Sequence, residues 1–178
     1  MNCWKTVNVN REVGINRIYL ISLLLGLLSF IFLYIPFSII HQSNNFKDHG
    51  IFPLLIGLAL LPLVHKLTHI LPLILTNKKV KIKWRLKSKF FPVFFLSTKT
   101  KMSKQTSIFT LLAPTLFLTI PGLISSYLFV DYFAYFLIFT AVNIGLSFTD
   151  FIYASKFLSA PRKCIVENDD DGYDILVH

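Results

Sequence analysis

The chain has 178 residues, of which 54% are hydrophobic and only 15% are charged. Soluble domains average about 25% charged residues, so this composition excludes an ordinary soluble domain and favours an integral membrane protein. A net charge of +9 would point to nucleic acid in a soluble protein. Here the basic residues lie between long apolar segments, so the lipid bilayer is the expected partner and nucleic acid is not.

Four apolar segments predict four transmembrane helices, at about residues 18–40, 51–76, 108–130 and 133–158. The first follows a basic stretch, as a secretory signal would. It is nevertheless long enough to cross a bilayer and has no small-residue cleavage site after it, so we expect it to be retained. The predicted fold is mainly α, a four-helix transmembrane bundle in a single integral membrane domain over residues 1–178.

The segment between the second and third predicted spans, residues 78–104, is strongly basic. Residues 77–107 hold ten Lys or Arg and no acid. Apolar and basic residues alternate over 80–87, a period of two that is typical of a strand with two unlike faces. A second extended run at 93–101 completes a predicted β-hairpin. We expect it to lie on the membrane surface, with its lysines towards anionic lipid headgroups.

Counts of Lys and Arg in the loops predict the orientation of the chain. Placing the ten basic residues of 77–107 inside gives four spans with cytoplasmic N- and C-termini, in a multi-pass protein of the cell membrane. The cytoplasmic tail, 159–178, holds two short apolar-rich pieces around an Asn/Asp/Gly turn at 168–172, which predicts a second, short hairpin.

Three ionisable residues inside the apolar runs form the candidate site. His65 and His69 are four residues apart, so they share one helix face. Asp150, in the fourth run, lies at a similar predicted depth, since all three are roughly 10–17 Å from the cytoplasmic face. Two histidines and one carboxylate form the donor set of a zinc site. Alternatively, Lys66 pairs with Asp150, and the histidines form hydrogen bonds between helices.

The order of these elements resembles a known family. A span with HxxxH, a membrane-associated hairpin, a span with Ala113-Pro114 and a span with Asp150 follow one another. The chain is similar to a bacterial membrane domain of unknown function described as "putative zincin peptidase", and its layout resembles that of site-two intramembrane metalloproteases. The resemblance implies a metalloprotease-like fold, zinc ligands at His65, His69 and Asp150, and a hairpin that presents an extended substrate by β-augmentation.

The chain departs from that pattern at the catalytic position. The glutamate between the two histidines, which moves the proton in a zincin-type reaction, is Lys66. The site-two pattern Asn-x-x-Pro is also missing, since Asn143 is followed by Ile-Gly-Leu. Phe151 follows Asp150, where the resemblance implies glycine.

These observations leave three hypotheses. The first is a zincin-like membrane protein with an intramembrane zinc site and no catalytic glutamate, which acts by binding a membrane-protein partner or substrate. The second is an active intramembrane metallopeptidase that uses a different base. The third is a structural or transport protein in which Lys66 and Asp150 form an ion pair.

Overall fold

A computed structural model describes residues 2–41, 50–76, 81–85, 93–97, 101–169 and 172–177. Over these residues the chain is mainly helical, with short antiparallel strands. The helices are α1 (Val9–Val13), α2 (Ile15–His41), α3 (Ile51–Thr68), α4 (Ile70–Leu75), α5 (Lys104–Pro114), α6 (Ile120–Leu128), α7 (Phe133–Leu146) and α8 (Phe148–Leu158), with a π-helical turn at Thr115–Thr119 and a 3-10 turn at Val130–Tyr132. The strands are β1 (Asn2–Val7), β2 (Lys81–Arg85), β3 (Val93–Ser97), β4 (Met102–Ser103), β5 (Cys164–Asp169) and β6 (Gly172–Val177).

Three helical segments are long and apolar enough to cross a membrane: Ile15–His41, Ile51–Leu75 and Lys104–Leu128. A fourth is present if Val130–Leu146 and Phe148–Leu158 count as one span, since these two helices are bent by 46° at their junction. The segments coincide with the four apolar runs of the sequence, apart from shifts of a few residues at their ends. The expected mainly helical architecture is therefore confirmed, with three to four candidate spans.

The chain divides into two compact units. The first comprises Met1–Gly14, His69–Ala113 and Asp150–His178, and the second comprises Ile15–Thr68 and Pro114–Thr149. The first unit contains a four-stranded sheet of order β1-β6-β5-β4. Strands β5 and β6 are the antiparallel pair predicted for the tail, although residues 170–171 of the turn lie outside the described residues. The contributions of β1 and β4 to this sheet were not predicted.

Strands β2 and β3 fall within the predicted basic hairpin. They pair antiparallel, from Lys81 opposite Ser97 to Arg85 opposite Val93. Residues 78–80, 86–92 and 98–100 of the hairpin lie outside the described residues. The placement of this hairpin on the membrane surface stays a prediction.

In the first unit, α8 is held by contacts with both the sheet and α5. The ring of Tyr173 in β6 packs edge-on against Phe157 of α8, at a centroid distance of 5.3 Å. Lys104, the first residue of α5, donates to the carbonyl oxygens of Leu158 and Ala160 at 2.9 and 2.6 Å. Because the last carbonyls of a helix lack partners within it, a lysine there stabilises the helix end. Lys104 therefore fixes the C-terminal end of α8.

In the second unit, α2 and α7 lie in close backbone contact. A Cβ placed on Gly145 of α7 would lie 2.5 Å from the carbonyl oxygen of Ser22 in α2. Small residues allow such an approach between membrane helices, where packing replaces the hydrophobic effect. Nearer the start of α7, a hydrophobic core is formed by Phe133, Ala134 and Leu137.

A helix break lies next to the two histidines. Helix α3 ends at Thr68 and α4 begins at Ile70, with Pro72 four residues after Thr68. Proline has no N–H, and its ring clashes with the carbonyl four residues earlier. Pro72 therefore accounts for the end of α3, whereas α3 runs through Pro62 without a break.

A second break separates α7 from α8 at Ser147. The Ser147 hydroxyl donates to the carbonyl oxygen of Asn143 at 2.9 Å. A serine that bonds back to the carbonyl four residues earlier tends to bend a helix. This hydrogen bond gives a physical reason for the bend, which the apolar pattern did not predict.

Candidate metal centre

His69 lies at the junction between α3 and α4, and its side chain is 17% exposed. Its Nδ1 is 2.8 Å from the carbonyl oxygen of Thr110 in α5. A carbonyl oxygen only accepts hydrogen bonds, so Nδ1 carries the hydrogen and, in the neutral ring, Nε2 carries the lone pair. That Nε2 lies 3.5 Å from Oδ2 of Asp150. His69 thus turns towards a carboxylate a nitrogen that could bind a metal.

Asp150 lies in the first turn of α8, and its side chain is 12% exposed. The N-terminus of a helix is the positive end of its dipole and stabilises a nearby negative charge. The break at Ser147 creates this helix start close to Asp150. The bend therefore leaves Asp150 at a position that suits a carboxylate ligand.

His65 lies in α3, one turn before His69, and is 7% exposed. Its Nδ1 is 2.9 Å from Oδ1 of Asn143 in α7. The Nδ2 group of Asn143 donates to the carbonyl oxygen of Pro114 at 3.2 Å and to Oγ1 of Thr119 at 2.9 Å. His65 is therefore held by a buried polar side chain that has its own partners.

The three predicted ligands form one group. His65, His69 and Asp150 each offer one ligand atom, and these atoms all lie within 4.8 Å of one another. In a tetrahedral zinc site with bonds of about 2.0–2.1 Å, neighbouring ligand atoms are roughly 3.3 Å apart. The 3.5 Å between Nε2 of His69 and Oδ2 of Asp150 is already close to that spacing.

The chemistry of this donor set fits a zinc ion. Two imidazoles and one carboxylate are the protein ligands of many zinc enzymes, which leave the fourth position open. A ligating histidine commonly donates its other N–H to a carbonyl or carboxylate oxygen, which orients the ring. The contact of His69 with Thr110 is of this kind. His65, His69 and Asp150 are accordingly the residues that would hold the ion.

The group that would move a proton is missing from its usual place. Lys66, half-buried, occupies the glutamate position of the HExxH motif. The candidate spans Ile15–His41, Ile51–Leu75 and Lys104–Leu128 contain no Asp or Glu, so none of these spans provides a substitute. The arrangement is therefore suited to holding a cation and lacks the usual general base.

The candidate spans and the possible metal group are consistent with a zincin-like protein that crosses a membrane. A family model described as "Putative zincin peptidase" matches residues 58–165, which are 108 of the 178 residues and include all three candidate ligands. The chain belongs to this family, and the resemblance inferred from the residues is confirmed. No curated protein and no solved structure matches the chain. The similarity in layout to site-two proteases stays a prediction.

Sequence reasoning did not identify the residues that hold the two histidines. Thr110 acts through its backbone carbonyl, which has no side-chain signature. Asn143 did carry a signal, because a buried amide in an apolar run needs partners. It also precedes Asp150 by seven residues, about two helical turns, which places both near one face of a regular helix.

Proposed function

We propose that this protein is a multi-pass membrane protein that binds zinc through His65, His69 and Asp150 and acts by binding a partner, without peptidase activity. The convergence of the three ligand atoms within 4.8 Å, next to Lys66, carries this proposal. Membership of the zincin family supports zinc as the metal. When bound, zinc would act as a Lewis acid at an open ligand position. The partner is a membrane protein of the kind that an active relative would cleave.

The contact between His69 and Asp150 favours a cation at this place. With Nδ1 bonded to the carbonyl of Thr110, the neutral ring of His69 turns a lone pair towards the Asp150 carboxylate at 3.5 Å. Two acceptors at this distance repel each other unless a proton or a metal ion lies between them. A buried carboxylate is costly in hydrocarbon, and a divalent cation offsets that cost.

Lys66 is the reason to propose binding rather than cleavage. General acid–base groups typically contribute about 10²–10⁴-fold to a rate. A charged lysine cannot accept a proton, and its charge also opposes a nearby divalent cation. We therefore place the activity of the wild-type chain below that of a glutamate-containing relative by at least this factor.

The sheet supports a topology of four spans. Strands β1, β4, β5 and β6 belong to one open sheet, and an open sheet is not stable in hydrocarbon because its edge groups lack hydrogen-bond partners there. The sheet must therefore lie at one face of the membrane. Strand β1 precedes α2, β4 directly precedes α5, and β5 follows α8. With all of these strands at the same face, the chain must cross the membrane an even number of times between β1 and β4, and again between β4 and β5. The bent pair α7–α8 then counts as one span.

The basic residues support a cytoplasmic position for the sheet. Strand β4 ends the segment that carries ten Lys or Arg between residues 77 and 107. The positive-inside rule places this segment in the cytoplasm. Both ends of the chain are then cytoplasmic, and the basic hairpin meets anionic headgroups at the inner leaflet.

The metal content of the purified full-length protein tests the proposed function. Elemental analysis should find one zinc per chain in the wild type and a loss of zinc in His65→Ala, His69→Ala and Asp150→Asn. His41→Ala is a matched control, because His41 is bonded to the carbonyl of Ser126 and belongs to no ligand group among the described residues. It should keep its zinc. If the wild-type protein binds no zinc when zinc is supplied at a saturating concentration, the proposed function is refuted.

Family membership favours one alternative, an active metallopeptidase with a different base. In that case the wild type cleaves a membrane substrate, and Lys66→Ala abolishes the cleavage if lysine serves as the base. The other alternative is a direct ion pair between Lys66 and Asp150. Exchanging the two charges would then preserve folding, whereas under the metal proposal the exchange removes a ligand and abolishes zinc binding.

A further inference from the structure

We propose that Asn143 is a positioning residue for the metal, which holds His65 as the tautomer that can bind the ion through Nε2. This inference rests on the proposed function, since it concerns the same site. It assigns a role to a residue outside the ligand set. All the contacts that carry it lie within the second unit.

The orientation of the Asn143 amide follows from the chemistry of its neighbours. A backbone carbonyl oxygen only accepts, so the group 3.2 Å from the Pro114 oxygen is the amide nitrogen Nδ2. The second hydrogen of Nδ2 points to Oγ1 of Thr119, at 2.9 Å. The oxygen Oδ1 is thus the atom that meets His65, at 2.9 Å from Nδ1.

The amide orientation determines the tautomer of His65. Oδ1 is an acceptor only, so Nδ1 of His65 must carry the hydrogen that bridges them. A neutral imidazole has one N–H, and Nε2 then carries the lone pair. Without the Asn143 oxygen, this contact would no longer favour either tautomer of His65. The tautomer that is protonated at Nε2 cannot bind a metal through Nε2.

The backbone that carries Pro114 and Thr119 contains a π-helical turn. One partner of Nδ2, Pro114, directly precedes this turn, Thr115–Thr119, and the other, Thr119, is the last residue of the turn. The N–H of Ile120 bonds the carbonyl of Thr115. Single π-helical turns occur frequently at functional sites. Asn143 is 1% exposed, so each of its hydrogen bonds is made away from water. The orientation of the amide is therefore imposed by the fold.

A purely structural role for Asn143, as a polar link between membrane helices, is the competing explanation. It predicts lower stability on substitution and no preference for a tautomer. The two explanations differ in what they predict for the tautomer of His65. They also differ in whether Asn143→Asp, which keeps an oxygen acceptor for Nδ1–H, recovers zinc affinity. Both can be measured on the full-length chain in lipid nanodiscs.

The first measurement uses ¹⁵N-histidine NMR on the metal-free protein, with His65→Gln to assign the signal. In the wild type we expect His65 to be protonated at Nδ1 and unprotonated at Nε2. In Asn143→Leu we expect a mixture of tautomers. A wild-type His65 protonated at Nε2 would overturn the inference, whether or not zinc binds, so this result is independent of the proposed function.

The second measurement is zinc affinity by competition with a chelator. Loss of a partner that orients a ligand typically costs 10–100-fold in metal affinity, and we expect this loss for Asn143→Leu. Asn143→Asp keeps an oxygen acceptor for Nδ1–H and should recover part of the loss. Ser126→Ala is the control, because Ser126 is fully buried in α6 and its hydroxyl donates to the carbonyl of Leu123 in its own helix.

The outcomes separate the two proposals. Wild-type affinity in a folded Asn143→Leu protein refutes the positioning role while leaving the zinc site intact. Absence of zinc binding in the wild type refutes the proposed function, and the NMR result then still decides the role of Asn143. If Asn143→Leu does not fold, the tautomer of the wild type and the affinity of Asn143→Asp decide it.

Discussion

Replacing Gly145 with alanine tests how closely α2 and α7 approach in the second unit. The added Cβ would lie 2.5 Å from the Ser22 carbonyl oxygen and 3.3 Å from Cα of Gly26. Ordinary contact for such a carbon begins at 3.4 Å, so the difference from 2.5 Å requires a local separation of roughly 0.9 Å. Both neighbours are backbone atoms, which no side-chain rotation can move. The helices themselves must shift.

The matched control is the same substitution on the facing helix. A Cβ on Gly26 would meet its nearest atom, the carbonyl oxygen of Ala141, at 3.4 Å, which is ordinary contact. Both variants gain the same preference of alanine over glycine in a helix, about 1 kcal/mol. Overpacking costs about 1–3 kcal/mol. Gly145→Ala should therefore be less stable than Gly26→Ala by about 1–3 kcal/mol.

The assay is reversible unfolding of the full-length protein in mixed micelles, followed by circular dichroism. Zinc is omitted so that metal binding does not contribute to the free energy of unfolding. Equal stability of the two variants would show that α2 and α7 are further apart than described. A less stable Gly26→Ala would show that the contact is tight on the other helix.

Three further predictions address the site and the unit that carries Asp150. Lys66→Glu restores the HExxH motif and should raise cleavage of a membrane-peptide substrate by at least about 10²-fold. Lys66→Gln should not raise it. Equal activities of the two variants would show that the missing glutamate is not what limits cleavage. Zinc at 100 times its dissociation constant should raise the free energy of unfolding by about 2.7 kcal/mol, and Asp150→Asn should abolish the increase; a retained increase would mean that zinc binds at another place. Burial, and then the charges of Asp150 and Tyr153, raise the pKa of Tyr173, so the folded chain keeps the proton longer than the unfolded chain. The stability from this group is present below the unfolded pKa of about 10 and is lost as the pH rises above it; Tyr173→Phe should flatten the alkaline limb of a stability–pH curve, and an unchanged limb would contradict the assignment.

The parts of the fold that could be predicted from sequence are those with a local signature. The candidate spans are visible because a bilayer requires about 20 consecutive apolar residues, whatever the rest of the chain does. His65 and His69 are paired by helical periodicity alone. The break after Thr68 follows from Pro72, whose effect reaches back only four residues.

The parts that were missed depend on contacts between distant residues. Strand β1 lacks a regular alternation, and its hydrogen bonds come from β6, about 170 residues later. The bend at Ser147 comes from one hydroxyl that bonds its own helix, and most serines in membrane helices look the same in sequence. The contact between His65 and Asn143 spans 78 residues and depends on how α3 packs against α7.

The pairing of β1 with β6 has a consequence for the order in which the chain is built. Residues 2–7 are synthesised before the candidate spans and residues 172–177 after them, so β1 must wait for its partner until these spans have been made. Contacts this distant in sequence form late in folding. Asp150 and His69 belong to the same unit as this sheet. Completion of that unit is thus a late step in biosynthesis. Two of the three candidate ligands are therefore already in the inserted spans before the unit around them has closed.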